Sequence, residues 1–198
     1  RNVNNVKYFN RRVLTNATKP TSINKIVNEI RSQNQKFSKD FGYELIAQTE
    51  AIYLFLPLTK YDTSYVKEVQ SLKKYYSIDT GFFRALLPST HMNKGVLLEN
   101  AVFLHLRRQE TPLRQLHFLD DANSHCDFVW VEYGEITQAI QVAWDISDPK
   151  TFHREISAFE KLKCDNCLLI TAEAEQEINE FGKTIRIVPA WKLLLSQP

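Results

Sequence analysis

The sequence has little of what marks the specialised classes of chain. Only 5 glycines and 7 prolines occur among 198 residues while 43% of the chain is hydrophobic, so collagen-like, low-complexity and disordered readings fall away. No apolar run approaches the roughly 20 residues that cross a bilayer; Ala51 to Leu58 is among the longest. Neither a secretory signal pattern at the start nor a lipidation motif at either end is present. The chain therefore reads as soluble and cytoplasmic, with no membrane partner. It opens on Arg1 rather than Met, which reads as a piece of something longer.

Cysteine is also scarce. Three of them, Cys126, Cys164 and Cys167, cannot build a disulfide framework, and an odd number suits a reducing compartment. Cys164-x-x-Cys167 invites a redox or zinc reading. The pair closes a helical stretch and leads into Leu168-Leu169-Ile170, whereas a thioredoxin-type motif opens a helix after a strand. Zinc would need two more ligands at matching spacing, and no second pair exists. Structural thiols are the expectation.

Charge of one sign is lacking overall but not locally. Residues 1–74 hold 13 Lys+Arg against 6 Asp+Glu, a balance of +7; residues 75–198 hold 12 against 17, a balance of −5. Such asymmetry points the first part toward a polyanion such as double-stranded DNA. A merely solvated charged surface is the competing reading.

Periodicity then divides the chain. Residues 1–20 are polar and read as irregular. Ser22 can cap a helix carrying Ile23, Ile26, Val27 and Ile30, and a second helix follows from about Ser38 with Phe41, Leu45 and Ile46 as its stripe. Gly42 weakens that second helix on propensity. Ile52 to Leu56 reads as a strand stopped by Pro57, and Tyr75 to Ile78 as its return after a basic loop. Two helices and two strands joined by an extended loop predict a winged helix-turn-helix over residues 1–72. The second helix would enter a major groove, with Lys36, Lys39 and Tyr43 near phosphates and Lys60 adding a contact from the wing. Glu44 and Glu50 on that helix favour protein contacts instead, and fold does not imply function.

Residues 73–198 have another rhythm. Gly95 to Arg108 is apolar on almost every side, the mark of a buried helix, and it carries Glu99. Three strand-like runs follow, at Gln115–Leu119, Asp127–Tyr133 and Ile136–Trp144, the last two joined by a turn at Gly134-Glu135. Asp148 with Pro149 starts a helix whose stripe is Phe152, Ile156, Phe159 and Leu162. Leu168 to Ile170, Ile185 to Val188 and a short helix at Trp191–Leu195 close the chain. A strand–helix–strand crossover implies a parallel pair, so the expected fold class is a mixed α/β (α+β) sheet domain.

Alternation places Asp127, Val129 and Val131 on one strand face, and Gln141 with Ala143 on one face of the next. With Glu99 these form a candidate set, Glu99, Asp127 and Gln141, for one Mg2+ or Mn2+. A structural role for each weighs against it: Glu99 can bond backbone in a core, and Asp127 can satisfy a turn. His125, two residues before Asp127, is the histidine best placed to act as a base. Trp130 and Trp144 read as core on the opposite face.

Several stretches here carry a resemblance. Lys74-Tyr75-Tyr76-Ser77-Ile78-Asp79-Thr80-Gly81-Phe82, Leu97-Leu98-Glu99-Asn100-Ala101-Val102-Phe103-Leu104, Cys126-Asp127-Phe128-Val129, Ile140-Gln141-Val142-Ala143 and the ending Ile187 to Leu194 resemble a prokaryotic AAA-type ATPase family. Its members carry a PD-(D/E)XK nuclease-like domain of restriction-endonuclease-like fold at the C-terminal end, commonly preceded by a winged helix. The resemblance covers most of residues 73–198. It implies that the ATPase core, and with it ATP, belongs to an upstream domain, since no Gly-x-x-x-x-Gly-Lys-Ser/Thr loop is present.

The sequence departs from the active pattern where it matters. Active relatives carry Glu-x-Lys on the third strand; the corresponding residues are Gln141 and Ala143. A carboxamide brings no charge to lower the pKa of bound water, and alanine brings no amine. The expectation is a degenerate, non-catalytic, DNA-binding or regulatory module. The alternatives are a metal-dependent nuclease with a Gln-variant site and a protein-interaction scaffold.

Overall fold

The computed structural model describes residues 3–33, 36–88, 93–121 and 124–195. They form two compact units, one of residues 1–58 with 71–93, the other of 59–70 with 94–198. Residues 74–86, read from the sequence as the start of the second domain, lie in the first unit, and the basic loop at 59–70 lies in the second. No helix among the described residues is long and apolar enough to cross a membrane.

The first unit has a helix that the sequence reading left as irregular. α1 (Val3–Thr15) buries Phe9, Val13 and Leu14 under an otherwise polar surface. Phe9 stacks on Phe37 with centroids 6.0 Å apart, and the Arg12 guanidinium reaches Glu29 on the next helix at 2.7 Å. α2 (Ile23–Ser32) is capped by Ser22, whose hydroxyl accepts from the Lys25 amide, and buries the predicted Ile23, Ile26, Val27 and Ile30. α3 (Lys39–Ala51) is capped by Ser38 and buries Leu45 and Ile46. β1 (Phe55–Leu58) and β2 (Lys74–Ser77) pair antiparallel, with Pro57 opposite Tyr75. Pro57 therefore sits inside the strand it was expected to end; β1 is a strand of a two-stranded sheet, where proline is tolerated at an edge. α5 (Gly81–Leu86) follows β2.

The second unit is built on a six-stranded mixed sheet. α6 (Lys94–Arg107) leads into β3 (Arg114–Asp121), β4 (Ser124–Glu132) and β5 (Glu135–Val142), an antiparallel meander. α7 (Pro149–Ser157) crosses over to β6 (Cys167–Thr171), which pairs parallel with β5. β7 (Gln176–Glu180) and β8 (Lys183–Pro189) form a hairpin, and β8 also pairs parallel with β6, so the strand order is β3-β4-β5-β6-β8-β7. α8 (Ala190–Leu195) ends the unit. The fold is thus mixed α/β, and the predicted order of helix, three strands, helix and strand is present.

Two turns hold the meander and the hairpin. Tyr133 and Gly134 both have positive φ, 53° and 81°, as do Phe181 and Gly182 at 55° and 70°. Two consecutive positive φ values define the two-residue turn whose twist matches that of paired strands. The β4–β5 turn is therefore Tyr133-Gly134, one residue earlier than Gly134-Glu135.

α7 covers one sheet face. Ile156 and Phe159 pack there against Val129, Ala139, Leu169 and Ile185. α6 serves the other face, with Phe103 stacked on Phe128 at 6.3 Å. Trp130 is fully buried, as expected. Trp144 is not core: it is 42% exposed, with the Lys94 ammonium 5.0 Å from its ring centroid. It lies two residues beyond Val142, the last residue of β5.

Candidate functional site

The site grows from one cross-strand pair. Phe128 faces Ile140 across β4 and β5, and one step along that register sets Asp127 opposite Gln141, both on the face that α7 covers. The Asp127 amide donates to the Gln141 side-chain oxygen at 2.6 Å, and the Val142 amide donates back to Asp127 Oδ2 at 3.1 Å. The carboxamide nitrogen of Gln141 donates to Glu155 Oε2 on α7 at 3.2 Å. Asp127, Gln141 and Glu155 are all buried. Arg154, largely exposed, closes the chain onto Glu155 Oε1 through Nε at 3.1 Å and Nη2 at 2.5 Å. This contact raises the pKa of the guanidinium, with the charge of Glu155 adding to it. The outcome is a closed run of hydrogen bonds in which both ends of Gln141 are used.

The three predicted site residues are not treated alike. Asp127 and Gln141 are brought together. Glu99 is half-buried on α6, the helix whose Phe103 lies over Phe128 on the opposite sheet face. His125 Nε2 stands 3.9 Å from Asp127 Oδ1 while its Nδ1 stands 3.4 Å from Asp120 Oδ1. Ala143 is buried, and Lys150 lies on α7. No group of three or more His, Cys, Asp or Glu side chains placed to hold a metal ion exists among the described residues. Of the oxygens that would meet a hard cation, Gln141 Oε1 and Asp127 Oδ2 already accept backbone N–H groups, which compete with a metal for those lone pairs.

Sequence reasoning missed Glu155. Its signal was available, because Glu155 lies three residues after Phe152 and four before Phe159, on the stripe that had to face the sheet. A carboxylate there needs a buried partner, and the Gln141 carboxamide is that partner.

The predicted DNA contacts fare differently. Lys36, Lys39 and Tyr43 are exposed, the last two a turn apart on α3. Lys60 is in the second unit, where its ammonium pairs with Asp121 at 2.5 Å. The wing-like loop is not a free ribbon either: the Tyr61 amide donates to the Phe118 carbonyl at 2.8 Å, and residues 65–70 form α4 (Tyr65–Gln70). Lys60 thus lies in a segment tied to the edge of β3 rather than in a free wing.

All three cysteines are buried thiols outside any disulfide. Burial pushes the Cys167 thiol up to about 11, which leaves it protonated and unreactive near neutrality.

Two buried histidines carry a pH dependence. Burial lowers the pKa of His117, and the Arg107 charge lowers it further; burial and then Arg108 do the same for His105. Each imidazole binds a proton less readily folded than unfolded. Their contribution to stability is complete above the ordinary value of 6.5 and is lost as pH falls from there through the lower folded values. Thermal unfolding followed from pH 7.5 to 5 should show the second unit losing stability, and His117→Gln should flatten that slope. His91 lies outside the described residues.

Comparison with known proteins adds one relative. The chain is 31% identical over 207 aligned positions to an uncharacterized protein of Methanocaldococcus jannaschii, an alignment that covers 99% of this chain and 45% of the relative. The chain thus spans less than half the length of that protein. No family model matches the chain, and no solved structure matches it.

Proposed function

We propose that this chain is a non-catalytic, DNA-binding regulatory module, the C-terminal part of a larger AAA-type ATPase whose nucleotide-binding core lies upstream. The observation that carries the reading is the state of Gln141. Where a nuclease of this fold class needs a free carboxylate and a lysine, the chain has a carboxamide bonded at both ends and a buried alanine. The site functions as a structural clamp between β4, β5 and α7 rather than as a metal centre. The relative is more than twice as long as this chain, which leaves room for a further domain there.

The DNA-facing surface in this reading is the outer side of α3, where Lys36, Lys39 and Tyr43 are exposed in a unit of basic sequence. Duplex binding by fluorescence anisotropy should weaken steeply with salt. Lys36→Glu combined with Lys39→Glu should weaken it about tenfold or more and lower the salt slope by about 2, one per lost phosphate contact. No duplex binding at low salt overturns the DNA reading and leaves a protein partner.

The nuclease alternative is tested separately by calorimetric titration of Mn2+ into this chain and into Asp127→Ala. No binding is the expected result. Saturable binding to the first and not to the second would move the reading to a metal-dependent nuclease.

A further inference from the structure

The segment 59–70 does more than cover the edge of β3. The Phe118 amide donates to the Thr59 carbonyl at 3.1 Å, and the residues that follow border an open cavity of about 400 Å³ within the second unit. Tyr61, Asp62 and Glu68 form one side, and Leu113, His117 and Tyr133 are among the residues of the other. That volume falls within the range of ordinary ligand pockets.

The walls are held in place before any ligand arrives. The Tyr61 hydroxyl donates to the Gly134 carbonyl at 2.6 Å, and its ring meets His117 edge-on with centroids 6.1 Å apart. Thr59 Oγ1 and His117 Nδ1 are 3.0 Å apart, and the Ser64 amide donates to Asp62 Oδ1 at 2.8 Å. Side chains so fixed cost little to order on binding.

The charge of the cavity has one sign. Asp62 and Glu68 line it, and none of its described lining residues is Lys or Arg. His117 adds no charge near neutrality, because burial and Arg107 hold its pKa down. Arg107 itself is paired with Glu110 at 2.6 Å, and Arg114 with Glu132 at 3.2 Å. The consequences are visible in the titrating groups. Burial and the Asp62 charge raise the Glu68 carboxyl, while burial and the charges of Glu135, Asp62 and Glu68 raise the Tyr61 hydroxyl.

We propose that this cavity is the anchor pocket for a lysine or arginine side chain presented by a partner polypeptide. The carboxylates of Asp62 and Glu68 receive the cationic head, while the aromatic and apolar walls at Tyr61, Leu113 and Tyr133 receive its aliphatic stem. The division matches the two-part chemistry of such side chains, and aromatic rings attract a cation through their π-faces. A polypeptide is favoured over a free small cation by the surroundings of the mouth. Leu113 and Tyr133 are 63% and 84% exposed, and α4, which supplies Glu68, also exposes Tyr65, Val66 and Val69. A small cation leaves that apolar surface in water, whereas a polypeptide covers it.

The test uses this chain, 15N-labelled, titrated with the blocked peptide Ala-Ala-Arg-Ala-Ala and with the same peptide carrying neutral citrulline. The arginine peptide should shift the amides of Tyr61, Leu113 and Gly134 saturably, and the citrulline peptide should not. Glu68→Gln keeps the shape of a half-buried side chain on α4 and should weaken binding about tenfold, as loss of a charge-assisted contact does. Asp62→Asn provides the second variant, and circular dichroism checks that both remain folded. Absence of saturable shifts, equal shifts from the citrulline peptide, or binding unchanged in both variants overturns the proposal. Argininamide binding as tightly as the peptide overturns the polypeptide assignment and gives the cavity to a small cation.

Discussion

Replacing Gln141 by leucine is expected to destabilise the second unit by about 2–4 kcal/mol. The side chain is 3% exposed, and its carboxamide serves two buried partners: the Asp127 amide at 2.6 Å and the Glu155 carboxylate at 3.2 Å. Leucine fills similar space and gains some apolar burial, but it leaves one buried donor and one buried acceptor without their partner. Each such loss costs about 1–3 kcal/mol. Glu155 keeps Arg154, so its share lies at the low end. Urea denaturation gives the number directly, and a change below about 0.5 kcal/mol would remove the clamp from the account of this site.

Gln141→Glu asks a sharper question of the same position. One carboxylate oxygen can still accept from Asp127, but the other then meets Glu155 Oε2 where a donor had been. Two carboxylates at that distance in a buried setting raise the pKa of the pair. The variant is therefore penalised above the ordinary glutamate range and recovers as pH falls and one proton is taken up. Glu155→Gln in that background should relieve the penalty at neutral pH. The same arithmetic explains why glutamine stands here: with Glu155 underneath and no lysine at 143, an acid at 141 would have no compensating cation on the sheet.

The second unit was the more legible half of the sequence. Three of its strands run eight or nine residues around apolar centres, its helices carry wide apolar stripes, and the Asp148-Pro149 start of α7 is a local signal that depends on no distant contact. β7 was missed because its five residues are mostly charged or polar, yet Phe181-Gly182 between two short runs was a turn signal of the same kind as Tyr133-Gly134. α1 was missed for a different reason. Val3, Val6, Phe9 and Val13 recur at helical spacing, but polar side chains outnumber them, and the helix is secured by partners far along the chain, Phe37 and Glu29. Such tertiary support has no local trace.

The site was half legible. Alternation gave the face of Asp127 on its strand and of Gln141 on the next, and the register of β4 and β5 brings the two together. Glu155 and the acidic cavity were not legible, since both depend on what packs where: a crossover helix over the sheet, and a loop laid along a strand edge. Lys60 illustrates the point. Its sequence neighbourhood is basic and loop-like, and only the pairing of residues 59–61 with β3 turns it from a free cation into a partner of Asp121.

Gly42→Ala is expected to destabilise the first unit, although the substitution improves helix propensity by about 1 kcal/mol. Gly42 is in the first half of α3, and an added Cβ would lie 2.4 Å from Val27 Cγ2 on α2. Val27 is fully buried, so its methyl cannot simply swing into solvent. Either α3 moves off α2 or Val27 leaves its rotamer, and overpacking of this kind costs about 1–3 kcal/mol. The packing term is expected to outweigh propensity and leave a net loss of about 1–2 kcal/mol, read by chemical denaturation. Val27→Ala should be destabilising alone through the lost methyls, yet the double variant should be more stable than the sum of the two single effects, because the small residue at 27 receives the new Cβ. An additive cycle would mean that the two helices part freely at this crossing. The glycine that lowered the helical reading of residues 39–51 is thus the residue that lets the helix pack, a requirement set by α2 and invisible to propensity.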